Sequence, residues 1–215
     1  MSIQYKLFMA DMDSTIVAQE TLDEMAALAG FGDKVKEITK RAMEGHLDFK
    51  AALAERVALL EGCSVDLLQA TKDQMTLNGG AACVVSALKS AGVKTVLISG
   101  GFTFFTQHIA DLCGFDAHYG NQLEVLGERL TGRVIPPVID AEYKRATMLR
   151  ECEMLGIEPS KAIAIGDGAN DKFMLDMAGL AIGYHPKEAL RPYCDHVMDG
   201  DLDLSALLPL LGLPQ

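Results

Sequence analysis

Four apolar runs constrain this chain more than anything else in it: KLFMAD, VKTVLIS, KAIAIGD and LAIGY, each bounded by Gly or Asp and separated by segments of helical periodicity. Runs that are apolar at nearly every residue suit strands covered on both faces, and helices between them suit crossovers. The pattern predicts an α/β fold with a Rossmann-like parallel sheet. Three of the runs end on polar groups, Asp11, Ser99 and Asp167. Ligands of open parallel sheets bind outside the carboxyl ends of the strands, so these three residues are expected to converge. A single strand-terminal Asp is more often a helix cap than a catalyst, but three on one edge outweigh that reading.

The first run carries a further oddity, because LFMADMDST places two carboxylates one residue apart. Residues i and i+2 of a strand share a face, so a strand continuing through Asp11 and Asp13 would aim two like charges the same way. Such a pair is costly unless a cation sits nearby. The second run leads into SGGFT, where Ser99 offers a hydroxyl and two glycines let backbone N–H groups approach a ligand. The third polar cluster is GDGAND, Gly166 to Asp171, where Asp167, Asn170 and Asp171 are more polar groups than a helix cap needs.

Between the first and second strands the chain reads as helix from about Ala18 to Thr76, far more than one crossover requires. Leu22, Met25, Ala26 and Ala29 keep helical spacing, and Asp48 is placed to cap a helix running through Leu53, Val57 and Leu60. We expect a Rossmann-like core of residues 1–17 and 77–215 and a helical cap domain of residues 18–76. NQLEVLGERLTGRV, alternating around Gly127 and Glu128, predicts a small antiparallel hairpin. Asp140 is placed to cap a helix containing Lys144, and DLDLSALLPLLGLPQ predicts a terminal helix docked on the core.

Composition sets the outer bounds. With 49% hydrophobic residues in 215 and no low-complexity tract, the chain has the makings of a substantial core. A net charge of -11 argues against nucleic acid or anionic membrane as a partner, while an anionic small molecule would need a locally positive pocket. Five cysteines form no CxxC pair and no zinc-type spacing with the five histidines. No apolar run reaches membrane-span length, and the N-terminus has no signal-type stretch, so a cytoplasmic location is expected.

DMDST, SGGFT, Lys144 and GDGAND, in that order, resemble the four motifs of the haloacid dehalogenase superfamily of phosphohydrolases. More narrowly, ETLDE, RAMEGHLDF and ERVALL resemble the cap of the phosphoserine phosphatases, so the likeness runs from Leu7 to about His185. Some members carry an extra N-terminal regulatory domain; with a first strand starting at Leu7, none is expected here. Lys172, directly after GDGAND, departs from the pattern, which leads us to expect an uncharged residue there.

The resemblance implies hydrolysis of O-phospho-L-serine to L-serine and phosphate, the last step of serine biosynthesis, through an aspartyl-phosphate. It makes Asp11 the nucleophile and Asp13 the general acid/base. Mg²⁺ would be held by Asp11, Asp167 and the Asp13 backbone carbonyl, with Asp171 reaching it through water or holding Lys144. Ser99, the Gly100 N–H and Lys144 would bind phosphate oxygens. Arg56 would take the substrate carboxylate and Glu20 its ammonium, with Met43 and Phe49 on the apolar side of the pocket and Asn170 also beside the substrate. Three alternatives remain open: a phosphotransferase with an alcohol acceptor, a phosphatase for another small phosphomonoester, and a non-catalytic binding protein on the same fold. Oligomeric state is open as well, a homodimer included.

Overall fold

The computed structural model describes residues 3–43 and 46–214, Met43 by its backbone alone. Its centre is β1 (Leu7–Ala10), flanked in parallel by β2 (Lys94–Phe102) on one side and β5 (Ala162–Gly166) on the other. β3 (Ala117–Leu126), β4 (Arg129–Ile135), β6 (Leu180–Tyr184) and β7 (His196–Met198) complete seven strands in the order β4-β3-β2-β1-β5-β6-β7. Between these described strands the β3–β4 pairing is antiparallel and the others are parallel.

Strand alternation distributes the core over both faces. Phe8, Ala10, Leu97, Ile163 and Ile165 face one layer, with α5 (Ala81–Ser90) and α6 (Thr103–Cys113) against them. Leu7, Met9, Val96, Ile98, Ala162 and Ala164 face the other, with α7 (Ala141–Leu155) and α8 (Lys172–Met177). Because both faces are covered, β1 and β5 are buried at every residue, which is why they read as unbroken apolar runs.

Register explains the convergence at the edge. Ala10 pairs with Leu97 and with Ile165, so Asp11, Ser99 and Asp167 all emerge one or two residues beyond the same line. The strand stops at Ala10, however, and a tight turn follows in which Ser14 takes φ 54. Asp11 and Asp13 are therefore not aimed by strand alternation. A second departure lies in SGGFT: β2 does not end at Ser99 but continues to Phe102, with its pairing to β3 shifted between Ile98 and Phe102. Asn121 holds that irregular stretch, donating to the Gly100 carbonyl at 2.7 Å and accepting from the Ile139 N–H at 2.8 Å.

The long insert forms α1 (Thr21–Leu28), α2 (Gly32–Met43), α3 (Phe49–Ala58) and α4 (Asp66–Lys72). Asp48 caps α3 as the sequence implies, accepting from the Ala51 N–H at 2.8 Å. Where the insert leaves and rejoins the core, the two connecting segments pair: Ala18 N–H donates to Thr76 at 3.0 Å and Asn78 N–H to Ile16 at 2.9 Å. The β3–β4 hairpin turns at Gly127 as expected, yet it also supports the insert. Gly62 donates to the Leu130 carbonyl, Leu130 to Cys63, and Val65 to Glu128.

Asp140 caps α7 through the Tyr143 N–H at 2.8 Å, which fixes the helix carrying Lys144. The leucine-rich C-terminal stretch docks through Leu204, Leu207 and Leu208, but its helix, α9 (Leu207–Leu210), is a single turn rather than a long element. All five cysteines are free. Among the described residues, no helix is long and apolar enough to cross a membrane.

Candidate active site

The carboxyl edge of the sheet is organised around a buried lysine. Lys144, one turn into α7 and 0% exposed, lies 2.7 Å from Asp11 Oδ1 and 2.7 Å from Asp171 Oδ1. Burial works against its ammonium, but the two carboxylates outweigh that and hold its pKa above the usual lysine range. Asp11 also accepts from the Met12 N–H at 2.8 Å, and Asp171 from the Gly168 N–H at 3.2 Å. Gly166 makes this approach feasible, because a Cβ there would collide with the Asp171 carboxylate.

Asp13 sits on a separate set of donors. Its Oδ1 accepts from the Thr21 N–H at 2.9 Å and its Oδ2 from the Ser99 hydroxyl at 2.8 Å. The Ser99 oxygen in turn accepts from the Gly101 N–H at 2.7 Å. The only hydroxyl proton Ser99 has is therefore given to Asp13 here, a role not foreseen beside that of phosphate ligand. A Cβ at residue 101 would stand 2.8 Å from Asp13 Oδ2, so glycine is what lets the strand pass this carboxylate.

A cleft opens above these groups, lined by Asp11, Asp13, Glu20, Phe49, Arg56, Ser99, Gly100, Asp167 and Asn170 among others. Nine of the twelve residues singled out from the sequence thus share one cleft, with Lys144 and Asp171 buried behind it. The side chain of Met43 lies outside the described part. Phe49 reaches down from α3 and packs on Gly100, where a Cβ would come 3.1 Å from the ring. Arg56, one helix turn past Ala52 on α3, donates its Nε–H to the Ala52 carbonyl at 3.3 Å. Burial lowers its pKa, against the pull of Asp23, Glu20 and Asp13. Lys172 lies over the Phe173 ring at 4.5 Å, beside a second hollow that shares Phe49 and Asn170 with the cleft.

Two residues with polar side chains in the cleft were not singled out from the sequence. Thr21 is buried, and its Oγ1 has no hydrogen-bond partner among the described residues. Lys187 lies 2.9 Å from Asp167 Oδ2 and 3.3 Å from Glu20 Oε1. Lys187 follows the strand LAIGY by three residues, so the strand-end rule that found the others would have reached it too.

The charge balance calls for a cation. Four carboxylates line the cleft against two cations, Arg56 and Lys187. Burial first, and then Asp171, push the Asp11 carboxyl up to about 7 despite Lys144. Burial, Glu20 and Asp11 push Asp13 to about 7, and burial with Asp11 pushes Asp167 to about 6. Oxygens of Asp11, Asp167 and Asp171 lie within 4.8 Å of one another. An all-oxygen, buried and under-compensated donor set fits a hard divalent ion.

An aspartate pair and a buried lysine meet at the carboxyl edge of a parallel sheet, beneath a helical insert, an arrangement that suits a hydrolase site. The chain belongs to the haloacid dehalogenase-like hydrolases, whose family model matches residues 5–179. Among its relatives are phosphoserine phosphatases. One from Polaromonas sp. is 46% identical over 87% of this chain and 82% of its own length. Another from Archaeoglobus fulgidus is 42% identical over 97% of this chain, which spans 60% of that relative's length. A solved structure described as a phospho-aspartyl intermediate analogue of phosphoserine phosphatase superposes with TM-score 0.90 at 35% identity, covering 96% of this chain and 99% of that one. A substrate-bound phosphoserine phosphatase complex does so with TM-score 0.90 at 34% identity, over 96% and 98%.

Proposed function

We propose that this chain is a Mg²⁺-dependent phosphoserine phosphatase, hydrolysing O-phospho-L-serine to L-serine and phosphate. The observation that carries the reading is the meeting of Asp11, Asp13 and Lys144 beneath a cleft roofed by Arg56 and Glu20, in a chain whose relatives bear that name. Uncatalysed phosphomonoester hydrolysis needs acceleration of up to about 10²¹-fold, roughly 29 kcal/mol, so several groups must act together.

Asp11 attacks phosphorus, forming a P–O bond to its carboxylate as the bond to the serine oxygen breaks. Asp13, near neutral in pKa and therefore suited to proton transfer, protonates the departing alkoxide. As a carboxylate it then takes a proton from the water that hydrolyses the aspartyl-phosphate and frees Asp11. Lys144 orients Asp11 and offers positive charge to the phosphoryl oxygens. Ser99 positions Asp13, and the Gly100 N–H is available to a phosphate oxygen. Asp11, Asp167 and the Asp13 carbonyl would hold Mg²⁺, with Asp171 through a water; the ion supplies the charge that lets an anionic phosphate near an ionised Asp11. Residues 18–76 act as the cap that covers the cleft and excludes bulk water. A cytoplasmic setting belongs to the same proposal, supported by composition.

The test is phosphate release from phosphoserine, phosphoethanolamine and phosphoglycolate, with Asp11→Asn as the blank. Phosphoserine should be preferred, and Asp11→Asn should be inactive on all three. Phosphoethanolamine lacks the carboxylate and leaves Arg56 unpaired, which should cost about 2–4 kcal/mol in kcat/KM. Equal turnover of phosphoserine and phosphoethanolamine would refute the substrate assignment and leave a phosphatase of other preference.

A further inference from the structure

Among the described residues, Lys187 is the one cation lining the cleft that comes from neither the insert nor the four sequence motifs. It stands in the loop after β6, which is tied to the end of β5: its backbone N–H donates to the Asp167 carbonyl at 2.8 Å, and the Leu190 N–H donates back to the Lys187 carbonyl at 2.8 Å. Leu190 is fully buried, so this loop is seated against the core. From it the ammonium spans two groups with different tasks. Asp167, 2.9 Å away, belongs to the carboxylate set that fits a divalent ion. Glu20, 3.3 Å away, leads into α1 of the insert and is assigned the substrate's ammonium. Lys187 thus occupies, with a single tethered charge, the neighbourhood of two cations that the reaction must admit. Its side chain is 60% exposed, so it can swing into water when displaced.

We propose that Lys187 is a specificity-determining residue: a resident ammonium that holds Asp167 and Glu20 until a divalent ion and the substrate's own ammonium displace it. Two consequences follow from electrostatics. At Asp167 the lysine competes with the ion, so the protein binds divalent cations more weakly than its carboxylates alone would dictate. At Glu20 it provides a fallback partner. A phosphomonoester without an ammonium does not strand Glu20, because Lys187 remains paired with it, so the lysine softens discrimination against such substrates. Only this second consequence rests on the phosphoserine reading.

Lys187→Met removes the charge and keeps the length. Titrating the substrate-free protein calorimetrically with Mg²⁺, and separately with Mn²⁺, should show at least about threefold tighter binding in Lys187→Met, a modest value because the lysine end of the pair is largely exposed although Asp167 is buried. Lys187→Arg should bind like wild type. Lys50→Met, which removes an exposed cation paired with Asp140 outside the cleft, should also bind like wild type and controls for net charge. Unchanged or weaker ion binding in Lys187→Met would overturn the competition, and an equal gain in Lys50→Met would reduce it to bulk charge and overturn it as well. In the same variant the kcat/KM ratio of phosphoserine to phosphoglycolate should rise at least about threefold; an unchanged or lower ratio would overturn the specificity role. A wild-type protein inactive on phosphoserine would instead refute the proposed function, while the ion titration still decides the first consequence. Thermal melts of each variant confirm that the comparison is between folded proteins.

Discussion

At the scale of single residues, the site depends on charges that cannot stand alone. Lys144 is completely enclosed, and its two carboxylate partners are 4% and 0% exposed in their side chains. Lys144→Met would leave Asp11 and Asp171 facing one another with no cation between them. Removing one partner from a buried ionic group costs on the order of 3–5 kcal/mol, which should appear as an earlier urea midpoint. A divalent ion restores part of the missing charge, so added Mg²⁺ should raise the midpoint of Lys144→Met more than that of wild type. Equal midpoints in the absence of ion would show that the carboxylates shed their charge without penalty. Ser99 makes a contact that its expected part as a phosphate ligand did not include. Its hydroxyl proton is committed to Asp13, so Ser99→Ala should disturb the proposed proton-transfer group as well as the proposed phosphate contact, shifting the pH profile of kcat in addition to raising KM.

At the scale of elements, β5 shows how a strand end is shaped by what must pass it. Gly166 is the last residue of β5, and Asp171 folds back over it from the short turn before α8. Gly166→Ala should displace Asp171 and, through it, Lys144, at a cost of about 1–3 kcal/mol in stability and a larger loss in kcat. A variant with wild-type melting and turnover would show that the backbone can yield here. The same logic holds for α3, a capped helix that carries both Phe49 and Arg56 into the cleft from positions two turns apart. Asp48→Ala removes the bond to the Ala51 N–H and should lower stability by about 1 kcal/mol, measured by denaturant unfolding.

Across the whole molecule, sheet and helices are joined by ionic and hydrogen-bonded clasps remote from the site, and one sets a pH dependence. Asp116 accepts from the Thr95 N–H at 2.8 Å and the Thr95 hydroxyl at 3.0 Å, and pairs with Lys89 of α5 at 2.8 Å. Burial opposes its charge, but these donors outweigh burial and hold its pKa below the usual carboxylate value. A folded pKa below the unfolded one means that the carboxylate stabilises above the unfolded pKa, and that this contribution fades as pH falls through the folded value. Asp116→Asn should therefore cost about 1 kcal/mol near pH 7 and progressively less below pH 4; a constant difference across that range would remove the carboxylate from the account. The chain's own order determined much of the rest. Apolar runs buried on both faces, each ending in Asp or Ser, marked the sheet and its working edge, and helical spacing from Leu22 to Leu60 marked the insert, because periodicity and strand ends are properties of near neighbours in sequence. The motifs pointed to Asp11, Asp13, Lys144, Asp167 and Asp171 for the same reason. What only tertiary structure decided is which charge meets which. Lys144 and Asp171 are 27 residues apart, Ser99 and Asp13 are 86, and Lys187 and Glu20 are 167. No local pattern encodes such pairs, since they follow from the register of parallel strands and from a helical insert folding back over the sheet's carboxyl edge, and an exposed-looking lysine becomes part of the site only when that edge is assembled.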